Sequence, residues 1–148
     1  MISKVIATNR RAKFEYELLE NLEVGVVLKG SEVKSCRMNS VSIKEAHVAE
    51  MEGALYLFNA NIPEYKGSLE KHEPKAPRKL LMHKRELKKW MGRVKEKGLT
   101  IVPLEMYFNQ KGLVKLAAAL ARGKKIHDKR ETIKKREWER SKHRELKQ

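Results

Sequence analysis

Cysteine is nearly absent from this chain. Cys36 stands alone among 148 residues, so no disulfide can close within the chain, and a disulfide-stapled secreted module is excluded. A single thiol suits a reducing compartment. Long apolar runs are missing as well. None approaches the ~20 residues of a bilayer-spanning helix, and the mean hydropathy is −0.66. The opening Met1-Ile2-Ser3-Lys4 lacks the apolar stretch of a secretory signal. The eight glycines form neither G-x-x-x-x-G-K-[ST] nor G-x-G-x-x-G, so no nucleotide-phosphate loop is expected. No two of His47, His72, His83, His127 and His143 are spaced i, i+3 or i, i+4, and Cys36 has no nearby histidine, so neither a metal site nor a cofactor is expected. No internal repeat is visible. These absences leave a soluble, cytoplasmic protein, long enough for one domain with a real core.

Acidic residues are also in deficit. Lys and Arg number 34 against 19 Asp and Glu, a formal net charge of +15, which favours a polyanionic partner, nucleic acid before an anionic membrane surface. The excess is segregated. Residues 1–65 carry a net −1 and residues 98–121 a net +1, whereas residues 66–97 carry +8 and residues 122–148 carry +7. Two basic blocks predict two anion-binding surfaces, or one surface assembled from both.

Periodicity predicts a mainly β body with some helix. Strands are expected at Phe14–Leu18, which alternates apolar and polar, at Val24–Lys29, and at 99–108 and 113–121 around a turn at Asn109–Gly112. Residues 43–51 and 54–62 form a hairpin about Glu52-Gly53. Ser31 caps a short helix through Arg37, and 63–77, with three prolines, is a loop. A longer helix spans 78–97, with Leu80, Leu87, Trp90, Met91 and Val94 on its apolar face. Its other face carries Lys84, Arg85, Lys88, Lys89, Arg93 and Lys95, a candidate phosphate surface. Pro103 implies an edge or a bulge. From Gly123 onward only Ile126, Ile133, Trp138 and Leu146 are clearly apolar. That is too narrow a stripe to bury, so the tail is expected to be disordered when free and helical against a polyanion.

Candidate chemistry follows the charge. Lys124, Lys125, Lys129, Arg130, Lys134, Lys135 and Arg136 would contact phosphates, and His127 and Trp138 could stack on bases. Charge and aromatics alone do not choose RNA over DNA. His127-Asp128 has the makings of an acid–base pair, yet a flexible tail cannot preorganise one, so no enzymatic activity is expected. Cys36 reads as a small residue packed under a short helix. Glu15, Glu17, Glu20 and Glu23 would repel phosphate. Their face either turns from RNA or accepts from a base amino group.

Five motifs in order carry a resemblance: Ile6–Ala12 (IATNRRA), Leu22–Gly25 (LEVG), Gly30–Ser35 (GSEVKS), Arg78–Leu81 (RKLL) and Gly123–Arg130 (GKKIHDKR). From about residue 5 to its end the chain resembles the bacterial SsrA-binding (small protein B) family. The resemblance implies a small OB-like β-barrel with short flanking helices over residues 1–122, and a basic C-terminal tail over 123–148. It implies an RNA-binding adaptor for trans-translation, monomeric and without cofactor. Such an adaptor binds the tRNA-like domain of transfer-messenger RNA (tmRNA) and, with elongation factor Tu carried through alanyl-tmRNA, reaches stalled ribosomes. There its tail lies beyond the decoding centre in the empty mRNA channel. Carried over by position, Asn9, Glu23, Leu81 and Lys115 contact tmRNA, with Arg10 and Arg11 as basic neighbours. Gly123, Lys124, Lys125, His127, Asp128, Lys129 and Arg130 engage the ribosome, and Trp138 matches an aromatic farther along. Cys36 departs from an expected leucine. Glu145 departs from an expected pair of apolar residues with Leu146. The rival readings are a structural ribosomal protein and an RNA-processing enzyme on an OB-like scaffold.

Overall fold

The computed structural model describes residues 2–67 and 69–124. In chain order the elements are β1 (Ile2–Thr8), α1 (Ala12–Glu15), β2 (Tyr16–Val26), α2 (Gly30–Met38), β3 (His47–Met51), β4 (Ala54–Phe58), β5 (Arg78–Leu81), α3 (Lys84–Lys97), β6 (Thr100–Asn109) and β7 (Val114–Gly123). The protein is mainly β with a few helices. The seven strands form one sheet in the order β1-β6-β3-β4-β5-β2-β7, and β6 also pairs with β7. The ladder therefore returns on itself. β1 and β3 share the other edge of β6, β1 along Glu105–Asn109 and β3 at Ile101.

Period-2 alternation builds the interior. Val24 and Val26 of β2, Leu55 and Leu57 of β4, Leu80 of β5, Met106 of β6 and Leu116, Ala118 and Leu120 of β7 point into one core. Trp90 of α3 closes it at 1% exposure, the core role that its apolar helix face predicts. Leu87, Met91 and Val94 pack beside it. On the outer side of β6 and β7, Ala12 of α1 packs against Val102 and Ala121 in a second small cluster. The β3–β4 hairpin turns at Glu52 (φ 52°) and Gly53 (φ 80°), the two left-handed residues of the tight turn that matches strand twist. A register shift between Pro103 and Glu105 supplies the expected bulge.

Four local expectations are corrected. Residues 78–81 are strand β5, not the start of the helix. The Arg78–Leu81 segment pairs with β4 on one edge and β2 on the other, and two ladders outweigh a helical phase shared with Leu87. Phe14 and Glu15 belong to α1, because their amides bond the Arg11 carbonyl at 3.1 and 3.0 Å. β2 then runs unbroken to Val26, where the sequence suggests two strands, because pairing with β7 extends from Tyr16 to Gly25. Ser31 does not cap α2. The Glu32 carboxylate accepts from the Lys29 amide at 2.9 Å instead, and Ser31 turns inward.

Candidate nucleic-acid interface

Register creates the site. Gly25 of β2 lies opposite Lys115 of β7 and opposite Leu81 of β5. Lys115 in turn lies opposite Tyr107 of β6. Facing residues share a side of the sheet, so Tyr107, Lys115, Gly25 and Leu81 make one row across four strands on the side away from the core, with Tyr107 and Gly25 buried and Leu81 exposed. Glu23, two residues before Gly25, stands on the same face. Gly25 is what lets the row close. A Cβ there would sit 3.3 Å from Leu81 Cβ, tight enough to shift the leucine by a few tenths of an ångström, and 3.7 Å from Lys115 Nζ, in ordinary contact. Beside the row is a groove of about 330 Å³ lined by Gly25, Val26, Leu28, Leu81, Leu113 and Lys115. Leu81 and Leu113 are each 54% exposed, so Leu81 is a surface residue rather than core.

The patch sets a hydrogen-bond acceptor beside a cation. Tyr107 donates its hydroxyl to Glu23 Oε2. Burial first, then the hydrogen bond and charge of Glu23, and last Glu105, push the Tyr107 phenol well above its ordinary pKa. It therefore stays a donor and holds the carboxylate in place. The other Glu23 oxygen has no partner among the described residues and can accept from an exocyclic amine. Lys115 has no acidic partner there either and can meet a phosphate.

Asn9, Arg10 and Arg11 are not part of that cluster. They form the turn between β1 and α1, farther toward the start of β6. The Asn9 amide donates to the Leu104 carbonyl at 2.8 Å and its Nδ2 to the Pro103 carbonyl at 3.0 Å, so this side chain ties the turn to β6. Arg10 and Arg11 are exposed. Gly123 pairs with Tyr16 at the end of β7, and the Lys124 amide donates to the Glu15 carbonyl at 3.0 Å. Both are thus held by β2 and α1. Lys125, His127, Asp128, Lys129, Arg130, Lys134, Lys135, Arg136 and Trp138 lie outside the described residues, as does the expected order of the tail.

The basic face of α3 is partly spent within the fold. Lys89 and Arg93 converge on Glu20 at 3.0 and 3.7 Å, and Lys95 reaches Glu50 at 4.0 Å. The Lys89 hydrogen bond, with the Lys89 and Arg93 charges, holds the Glu20 carboxyl below its ordinary range against a smaller opposing effect of burial. Lys84, Arg85 and Lys88 are exposed and have no acidic partner among the described residues. Glu17 faces Arg122 at 3.7 Å. Of the evenly spaced acids of the N-terminal segment, Glu17, Glu20 and Glu23 therefore have separate partners.

A polar network that sequence reasoning missed holds β5 in place. Arg78, 2% exposed, donates to Glu32 Oε2 at 2.6 Å, to the Ala60 carbonyl at 2.8 Å and to the Glu73 carbonyl at 3.1 Å. Ser31 Oγ donates to His72 Nδ1 at 3.0 Å, and His72 Nε2 donates to the Ile62 carbonyl at 3.0 Å. Ser35 Oγ donates to the Pro63 carbonyl. Positions 31, 32 and 35 share one helical face, and that face clasps the 60–78 segment. The available signal was polar residues at that spacing beside a proline-rich loop.

Comparison with known proteins completes this picture. Residues 6–148 match the family model described as SmpB protein. The chain belongs to the SmpB family. It is 51% identical over 144 residues to the SsrA-binding protein of Afipia carboxidovorans, covering 97% of this chain and 92% of that one. It is 54% identical over 142 residues to the SsrA-binding protein of the Wolbachia of Brugia malayi, covering 95% of each. The Bartonella henselae protein of the same name is 52% identical over 147 residues, 99% of this chain and 93% of that one. A solved structure described as "tmRNA-SmpB: a journey to the center of the bacterial ribosome" superposes with a TM-score of 0.65 at 48% identity, over 80% of this chain and 84% of that chain. No described helix is long and apolar enough to cross a membrane.

Proposed function

We propose that the protein is the tmRNA-binding adaptor of trans-translation. It binds the tRNA-like domain of tmRNA, brings alanyl-tmRNA with elongation factor Tu to a stalled ribosome, and runs its basic tail into the empty mRNA channel. The observation that carries this reading is half-identity over nearly the whole chain to proteins named for binding SsrA, together with likeness to a tmRNA–SmpB structure. The return of the strand ladder to β6 supports a small OB-like barrel as the body. Glu23, Leu81 and Lys115 form one tmRNA contact, and Asn9, Arg10 and Arg11, on the turn that Asn9 ties to β6, form another. Residues from Gly123 onward form the ribosome-engaging tail, with Lys124, Lys125, His127, Asp128, Lys129, Arg130, Lys134, Lys135, Arg136 and Trp138 reading the channel by charge and stacking. The adaptor acts in the cytoplasm as a monomer and catalyses nothing itself. Crosslinking in cells, followed by sequencing of the bound RNA, tests it. Recovery of one abundant tmRNA, enriched over messages and ribosomal RNA, is the expected outcome. Ribosomal RNA alone, retained stoichiometrically on vacant ribosomes in high salt, would mean a structural ribosomal protein. Removal of the residues after Lys124 should leave tmRNA binding nearly intact and abolish peptide tagging. Equal loss of both would refute the division of labour.

A further inference from the structure

The β3–β4 hairpin carries an aromatic surface that the Glu23–Leu81–Lys115 patch does not use. Pairing sets His47 opposite Phe58 and Ala49 opposite Tyr56. Alternation turns these residues outward, while Val48, Leu55 and Leu57 are buried. The His47 and Phe58 rings stack with centroids 5.4 Å apart and planes 15° from parallel. The Tyr56 ring tilts beside Phe58, 6.3 Å away at 45°. His47 is exposed, and Tyr56 and Phe58 are partly buried. The Tyr56 hydroxyl has no hydrogen-bond partner among the described residues.

The same face continues onto β5, where Lys79 lies opposite Tyr56 and Leu81, two residues on, flanks Gly25. None of the outward strand positions of β3, β4 and β5 is acidic. Glu50, the acid of β3, is on the opposite side and reaches Lys95 of α3. Cross-strand ring pairs do stabilise a hairpin. Packing alone, however, does not call for three adjoining rings at the surface, next to an exposed lysine and on outward strand positions that hold no acid, the nearest carboxylates being Glu15 and Glu45 beside His47. Surface rings beside a cation suit an unpaired base and its phosphate, whereas a duplex hides its base faces.

The geometry points to a base-stacking platform: His47, Phe58 and Tyr56 receive unpaired nucleobases of RNA, and Lys79 holds the adjoining phosphate. This rests on the reading of the protein as an RNA binder and extends that surface across β5, from Leu81 to the hairpin. It is tested by NMR of the full chain, titrated with a short single-stranded RNA of mixed sequence and separately with the same sequence as a duplex. The ring resonances of His47, Tyr56 and Phe58 should shift upfield with the single strand and hardly move with the duplex. Phe58→Leu, which keeps an apolar side chain and removes the π face, should weaken single-strand binding at least about fivefold and leave duplex binding unchanged, with Tm lowered by only about a few degrees from the lost ring pair. Lys79→Gln should reduce the salt slope for the single strand by about 0.7. The platform is overturned if the wild-type rings stay still while the strand binds elsewhere, or if Phe58→Leu weakens strand and duplex alike. The ring shifts need no variant, so a poorly folding substitution does not blunt the test. A wild-type chain that binds neither RNA would bring down the RNA-binding reading itself, and the platform with it.

Discussion

Replacing Arg78 by Met should be among the costliest single substitutions in the body. The guanidinium sits 2.6 Å from Glu32, and the two side chains are only 2% and 6% exposed. It also satisfies the carbonyls of Ala60 and Glu73. Methionine fills a similar volume but leaves a carboxylate buried without its counter-charge and two carbonyls short of a donor. Breaking a buried pair from one side costs about 3–5 kcal/mol. For a domain of this size that corresponds to a fall in Tm of roughly 10–25 °C. Adding Glu32→Gln to the variant removes the stranded charge and keeps an acceptor for the Lys29 amide. The double variant should therefore recover about 1–3 kcal/mol of the loss. Urea unfolding followed by far-UV circular dichroism measures both. A loss under about 1 kcal/mol for Arg78→Met, or a double variant less stable than the single one, would refute the assignment of Arg78 and Glu32 as a mutually dependent buried pair.

Three further outcomes are expected. Lys115→Ala should weaken binding of the tRNA-like domain and lower the salt slope by about 0.9, one phosphate contact, in filter binding; an unchanged slope would place Lys115 off the phosphate path. Tyr107 keeps its proton in the native state beyond the ordinary phenol pKa of about 10. Above that pH the unfolded chain sheds a proton that the folded chain still holds, so stability falls as pH rises. The decline should be shallower in Tyr107→Phe, which thermal melts at mildly and strongly alkaline pH would reveal. The Cys36 thiol is pushed up to about 11 by burial first and then by Glu32, with Arg78 opposing. At pH 8 its alkylation in the native protein should be about a hundredfold or more slower than in urea, and equal rates would contradict its burial on the inner face of α2.

The legible and the hidden parts of this protein separate along the alternation of single strands. The Trp90 face, the Glu52-Gly53 hairpin and the Pro103 bulge all follow from local chemistry, and the fold has them. β5 was hidden because four residues are too few for a period to declare itself, and Leu80 happens to lie seven residues before Leu87. Its identity comes from partners on both edges, Tyr56 and Leu57 on one side and Gly25 and Val26 on the other. The tmRNA candidates were hidden for the same reason at longer range. Nothing in the spacing of Glu23, Leu81 and Lys115 predicts that they meet. Only the pairing of β2 with both β5 and β7 places them around one glycine, and here the family resemblance pointed to residues that periodicity could not. The resemblance in turn does not separate scaffold from contact, whereas alternation does. In the Arg78–Leu81 motif, Arg78 and Leu80 turn inward, one onto Glu32 and the other into the core. Lys79 and Leu81 turn outward, one beside Tyr56 and the other beside Gly25. In the Gly30–Ser35 motif, Ser31, Glu32 and Ser35 are all given to clasping the 60–78 segment. A motif read as a single functional unit is therefore two interleaved ones, in which the inner residues fix the register that brings the outer residues onto the proposed RNA surface.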